Sequence, residues 1–217
     1  MSVLPVFVIG QAPRPELEAE LRAAAPGLRV KLRGALDGLS QTELARLGPR
    51  EDADALFTIL PGGESVTISK ATVTERLCGL LPNGPALLAC TGAFKGLPAR
   101  SRAIQPSAVL DALTAALLPE GRLGLFVPLA EQVTTLEAAR GRAGLRVRAT
   151  VLRPGSDDRA RDAAAEWMAG FAPDLAVLDC ISYTRADKAR IGRRLSCPVL
   201  LSVAVAARVA ASLLPEA

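Results

Sequence analysis

Leu175-Ala176-Val177-Leu178-Asp179-Cys180-Ile181-Ser182 is an apolar run that ends on a thiol and then breaks into a small polar loop. Continuous apolar runs of this length read as strands buried on both faces, the mark of a parallel sheet. The pattern repeats on either side of it. Upstream, periodicity predicts strands over 123–127 and 145–152 and helices over 130–140 and 158–170; downstream it predicts a helix over 186–195, a strand over 198–202 and a helix over 204–214. Apolar strands alternating with amphipathic helices make a sheet covered on both faces.

The N-terminal half begins in the same way. Val3 to Ile9 is an apolar run that stops at Gly10-Gln11-Ala12-Pro13, after which Glu16, Leu17, Leu21 and Ala24 fall at helical spacing. A short strand over 28–32 and a weak helix over 39–47 follow. Residues 54–60 and 66–69 flank Pro61-Gly62-Gly63-Glu64, a turn that predicts a hairpin on the sheet edge. A helix over 72–81 then leads to a buried strand over 85–90. That strand also ends in a thiol, Leu87-Leu88-Ala89-Cys90-Thr91-Gly92. The expected fold is α/β: two similar lobes related by a pseudo-two-fold, each a parallel sheet flanked by helices, with an active site in the cleft between them. Lobe 1 takes residues 1–105 plus 203–217, and lobe 2 takes 106–202.

Of 217 residues, 50% are hydrophobic and only 3% aromatic, so the core rests on aliphatic side chains and base-stacking surfaces are not expected. Histidine is absent, which removes Ser-His-Asp triads, His-paired thiolates and imidazole zinc sites. No metal site is expected. The formal charge of +4 is spread along the chain, and its densest cluster, Arg185, Lys188, Arg190, Arg193 and Arg194, reads as a solvated helix face. No nucleic-acid partner is expected. No apolar run reaches the length of a membrane span, and the N-terminus lacks a charged, cleavable leader, so the expectation is a cytoplasmic protein without membrane contact. Four scattered cysteines suit a reducing compartment better than a disulfide scaffold. There is no P-loop, no G-x-G-x-x-G after a strand and no lysine placed for a Schiff base, so no cofactor is expected.

Ligands of parallel α/β sheets bind beyond the carboxyl ends of the strands, and Cys90 and Cys180 both sit at that edge. Nearby backbone N–H groups there favour a thiolate, as a base or nucleophile requires. Cys78, at an apolar helix position, and Cys197, just before Pro198, read as small buried hydrophobes. Gln11 and Arg14 on the first loop are candidate substrate contacts, with Arg14 suited to a carboxylate. Pro128 and Glu131 after the strand over 123–127, and Ser202 at the end of the last strand, are weaker candidates. Thr67 and Ser69 on the hairpin fit polar alternation on an edge strand.

Leu178-Asp179-Cys180-Ile181-Ser182-Tyr183, Cys197-Pro198-Val199-Leu200-Leu201-Ser202, Ala206-Ala207-Arg208-Val209-Ala210 and Val8-Ile9-Gly10-Gln11-Ala12-Pro13-Arg14 together resemble the AroM family. That family belongs by resemblance to the aspartate/glutamate racemase superfamily, which contains cofactor-independent amino-acid racemases, hydantoin racemases, maleate isomerases and arylmalonate decarboxylases. The resemblance implies that Cys90 is the first of two active thiols, with Thr91 and Gly92 gripping a carboxylate; the amide usual after that cysteine is Thr91 here. It implies that Cys180 is the second. The racemases follow it with Thr-His, whereas this chain has Ile181-Ser182, so Ser182 or Tyr183 would replace the imidazole.

The function expected from these readings is a racemase, epimerase or isomerase acting by two-thiol proton transfer on a small carboxylate, an amino acid or a hydantoin-like cyclic amide. A homodimer is an allowed assembly. The alternative is a non-catalytic carboxylate sensor on the same scaffold; a third reading pairs Cys90 with Cys180 as a disulfide switch. A bound anion is expected between the two thiols, touching Thr91 or Ser182, with the arginine cluster facing solvent.

Overall fold

The computed structural model describes residues 3–214. The chain divides into two compact units, one formed by the residues up to Val109 together with those from Val203, the other by Leu110–Ser202.

The first unit opens with β1 (Leu4–Val8), α1 (Pro15–Ala24) and β2 (Val30–Gly34). Proline at the first turn of α1, acidic Glu16 and Glu18 beside it, and Leu17 and Leu21 buried one turn apart explain why this segment is helical and which face it hides. Next come α2 (Gln41–Ala45), β3 (Ala55–Ile59), β4 (Ser65–Ser69), α3 (Lys70–Leu80), β5 (Gly84–Ala89) and β6 (Ser101–Ile104). The main sheet is parallel, in the order β2-β1-β5-β6. The hairpin is present, turning at Gly63 with φ +85°, a left-handed value that suits glycine. It is not an edge of that sheet: among the described residues β3 and β4 pair only with each other. Their apolar residues Leu56, Leu60 and Ile68 instead join Phe7, Ile9, Leu36, Leu88, Cys90 and Phe94 in one core cluster, so the hairpin packs as a separate layer. Ser69 closes it by accepting the Thr72 amide at the start of α3.

The second unit repeats the plan. After α4 (Pro106–Leu117) it runs β7 (Gly121–Val127), α5 (Glu131–Arg140), β8 (Leu145–Val151), α6 (Asp158–Phe171), β9 (Leu175–Leu178), α7 (Arg185–Gly192), β10 (Val199–Leu201) and α8 (Ser202–Ser212). The sheet is parallel in the order β10-β9-β7-β8. Two similar lobes result, each a parallel sheet with flanking helices. β6 and α4 arise where the sequence signals no element; β6 is four residues long and α4 is apolar on most of its surface, so neither shows a clean period.

The arginine cluster is not simply solvated. Arg190 meets Asp162 at 2.7 Å and Asp158 at 2.7 Å, Arg194 meets Asp162 at 2.8 Å and Glu166 at 2.7 Å, and Arg161 reaches back to Asp187 at 2.5 Å. These pairs knit α6 to α7. No helix among the described residues is long and apolar enough to cross a membrane.

Candidate active site

Cys90 is the first residue beyond β5 and is buried. Its amide donates to the Leu88 carbonyl at 2.8 Å, which turns the chain off the sheet, and the Gly92 amide then donates to Cys90 Sγ at 3.3 Å. A sulfur that accepts a backbone N–H is placed to carry negative charge. Gly92 lies close under the hairpin: a Cβ on it would stand 2.9 Å from Leu56 Cδ2 and 3.4 Å from Cys90 Sγ, so a larger residue would displace the Leu56 side chain. Thr91 and Gly92 are half-buried in an irregular loop. Two residues without a sequence signal hold that loop. Ser107 Oγ donates to the Gly92 carbonyl at 3.3 Å, and Gln105 Oε1 accepts the Phe94 amide at 3.2 Å.

On the neighbouring strand end, the expected contacts serve the scaffold. Gln11 Nε2 donates to the carbonyls of Leu36 and Leu39 at 3.1 and 2.7 Å, tying the β1 loop to the turn after β2. Asp37 bridges the same two segments by accepting the amides of Ala12 and Gly34, each at 2.8 Å. Arg14 is 3% exposed, pairs with Glu16 and donates to the Ile59 carbonyl at 3.0 Å, so its guanidinium clamps α1 to the hairpin.

In the other unit Cys180 is buried two residues past β9, which ends at Leu178 rather than at the thiol. The Asp179 amide still donates to the Phe126 carbonyl at 2.9 Å, extending the β7 contact by one residue. The Asp179 side chain, 1% exposed, lies 3.0 Å from Arg140 Nη2, while Arg140 Nε meets Asp111 at 3.1 Å. A buried ion pair, extended to the exposed Asp111, thus supports the peptide that carries Cys180. Ser202 is fully buried and its hydroxyl donates to the Leu178 carbonyl, fixing β9 to β10. Tyr183, 1% exposed, donates its hydroxyl to the Leu152 carbonyl. Burial, followed by the negative charges of Cys180, Asp179 and Asp187, pushes the Tyr183 phenol well above its ordinary value, so it stays protonated and committed to that carbonyl. Its hydroxyl is thus held within the scaffold. Ile181 is buried and Ser182 half-buried in a turn ahead of α7, which starts at Arg185, where Thr184 and Asp187 form a capping box. Pro128 is buried, and Glu131 is exposed in the first turn of α5.

All four cysteines are free thiols. Cys78 and Cys197 are half-exposed rather than buried, and burial of its sulfur, with Asp174 nearby, raises Cys197 above the ordinary thiol range. A surface pocket of about 430 Å³ opens between α2 and the hairpin, lined by Leu44, Leu60, Val66 and Glu64; none of these was marked by the sequence.

The fold, two parallel sheets each flanked by helices, is shared by several solved enzymes. A glutamate racemase of Bacillus anthracis superposes with a TM-score of 0.61 at 13% identity, over 98% of this chain and 81% of the racemase. An allantoin racemase of Klebsiella pneumoniae gives 0.58 at 18%, covering 97% and 87%. The maleate isomerase of Pseudomonas putida S16 gives 0.55 at 14%, covering 97% and 92%. At these identities the likeness establishes the fold. The profile described as AroM protein matches residues 4–214, and the chain belongs to the AroM family. No curated protein matches it in sequence.

Proposed function

We propose that this protein is a cofactor-independent racemase, epimerase or isomerase of a small carboxylate, an amino acid or a hydantoin-like cyclic amide, with Cys90 and Cys180 as base and acid. The observation that carries the reading is the amide of Gly92 donating to Cys90 Sγ at 3.3 Å, in a buried turn at the carboxyl edge of a parallel sheet. A buried sulfur served by a backbone donor suits proton transfer better than simple packing. Cys180 likewise follows a strand of the parallel sheet in the second lobe, two residues past its end.

Inverting a carbon next to a carbonyl removes a proton from one face and returns one to the other. The thiolate of one cysteine takes the proton and becomes a thiol, leaving a carbanion whose charge spreads onto the carboxylate or carbonyl oxygen. The thiol of the other cysteine then delivers its proton to the opposite face and becomes the thiolate. Thr91 and Ser182 are the neighbouring groups suited to hold the oxygens on which charge builds. Each turnover exchanges the roles of the two sulfurs, so the reverse reaction needs no further reset.

The test is incorporation of solvent deuterium at the activated carbon, with amino acids, hydantoins and dicarboxylates as substrates. Cys90→Ser and Cys180→Ser are each expected to reduce it by about 10²-fold or more, the usual size of a positioned acid or base. Exchange that survives both substitutions overturns the two-thiol mechanism. The competing reading is a carboxylate sensor. It draws on Gln11, Arg14 and Tyr183 all being engaged within the scaffold, and it is upheld if small carboxylates raise the melting temperature while no substrate exchanges deuterium.

A further inference from the structure

The hairpin brings one more polar group to the Cys90 edge. Side chains alternate along a strand, so Leu56 and Thr58 project from the same face of β3. That face covers the carboxyl ends of β1 and β5. Leu56 Cδ2 lies 2.9 Å, and Cys90 Sγ 3.4 Å, from where a Cβ on Gly92 would stand, and Thr58 Oγ1 lies 2.5 Å from where a Cβ on Gly10 would stand. β1 and β5 are neighbours in register, Val8 beside Ala89, so Gly10 and the Cys90 turn leave the sheet side by side. Thr58 is 2% exposed, and its hydroxyl makes no hydrogen bond among the described residues. Thr58 Oγ1 is also not among the polar atoms enclosed without a partner, so this hydroxyl, unbonded within the fold, is open to a partner from outside it. Glycine at position 10 leaves that hydroxyl uncovered by a side chain.

We infer that the Thr58 hydroxyl is a substrate-binding group, donating a hydrogen bond to a carboxylate or carbonyl oxygen of the molecule that Cys90 deprotonates. The inference rests on the two-thiol reading. A donor to that oxygen holds the substrate and also stabilises the charge that grows on it as the proton leaves. Thr58 thereby selects for compounds with an acceptor oxygen next to the carbon that reacts.

The experiment measures deuterium incorporation in D₂O with D-glutamate and allantoin as probes, first in the wild type and then in Thr58→Val, Thr58→Ala and Thr58→Ser, with cooperative thermal unfolding confirming each fold. Thr58→Val is expected to raise KM about tenfold and to lower kcat, with Thr58→Ser restoring both to within about threefold; a tenfold change corresponds to ~1.4 kcal/mol. Thr58→Ala takes the place of Thr58→Val if the valine variant does not fold. Exchange by the wild type that Thr58→Val, or its alanine substitute, leaves unchanged overturns this inference alone. Exchange lost in both the valine and serine variants assigns Thr58 to packing and also overturns it. No exchange with any probe in the wild type overturns the two-thiol reading and this inference with it.

Discussion

Gly34 shows how tightly single residues are constrained at the edge of the first sheet. A Cβ there would stand 2.5 Å from the Gly10 carbonyl oxygen and 2.7 Å from the Gln11 Cα, both main-chain atoms that cannot swing aside. Gly34→Ala is expected to destabilise the protein by about 1–3 kcal/mol, the range for overpacking, read as a lower urea midpoint with an unchanged m-value. Arg140 poses an electrostatic constraint of comparable weight. Its side chain is 6% exposed and faces Asp179, 1% exposed, and the more exposed Asp111. Arg140→Leu keeps the volume but leaves a buried carboxylate without its cation, and a loss of about 3–5 kcal/mol is expected. The single tryptophan, Trp167 on α6 in the same unit, reports that unfolding by fluorescence.

At the level of elements, α6 and α7 are linked by ion pairs. The guanidinium groups of Arg190 and Arg194, both bonded to Asp162, hold its carboxyl well below the ordinary carboxylate range. A carboxyl whose folded pKa lies below its unfolded value, about 3.9, stabilises the fold fully above that value and loses the contribution only as pH falls through the lower folded one. Asp162→Asn is therefore expected to lower the urea midpoint at pH 7, with the difference from wild type shrinking steadily below pH 4. At about 1 M salt the pH 7 difference should also narrow, because these pairs are open to solvent. A difference that stays constant from pH 7 to pH 2 would mean that Asp162 acts through packing rather than charge.

For the whole molecule the informative feature is the path of the chain. The first unit is left at Val109 and rejoined at Val203, so α8 completes a body whose other elements were made before the second unit began. Val203, Ala206, Ala207 and Ala210 on α8 are all fully buried. A chain ending at Ser202 retains every strand of the second sheet but lacks this helix. Hydrogen exchange followed by mass spectrometry is expected to show β1, β2 and β5 losing protection in that truncation while β7, β8 and β9 keep theirs. Equal loss in both units would show that they unfold as one cooperative body.

Periodicity and turn residues are enough to read two lobes of parallel strands and helices and the Pro-Gly-Gly hairpin, and they place a thiol one or two residues past the end of each key strand. All of these are local signals, because an apolar run or a glycine turn constrains its own few residues. The fate of the polar candidates was not local. Gln11, Arg14, Ser202 and Tyr183 carry chemistry suited to a substrate, but each lies within reach of a backbone carbonyl from a segment 24 to 45 residues away and is bound to it. A buried donor takes the nearest unpaired acceptor, and which acceptor is nearest depends on how distant segments pack. The same holds in reverse for Thr58. In the sequence it is one polar residue on a short strand, and only the stacking of the hairpin over Gly10 and Gly92 brings its hydroxyl to the edge where Cys90 emerges.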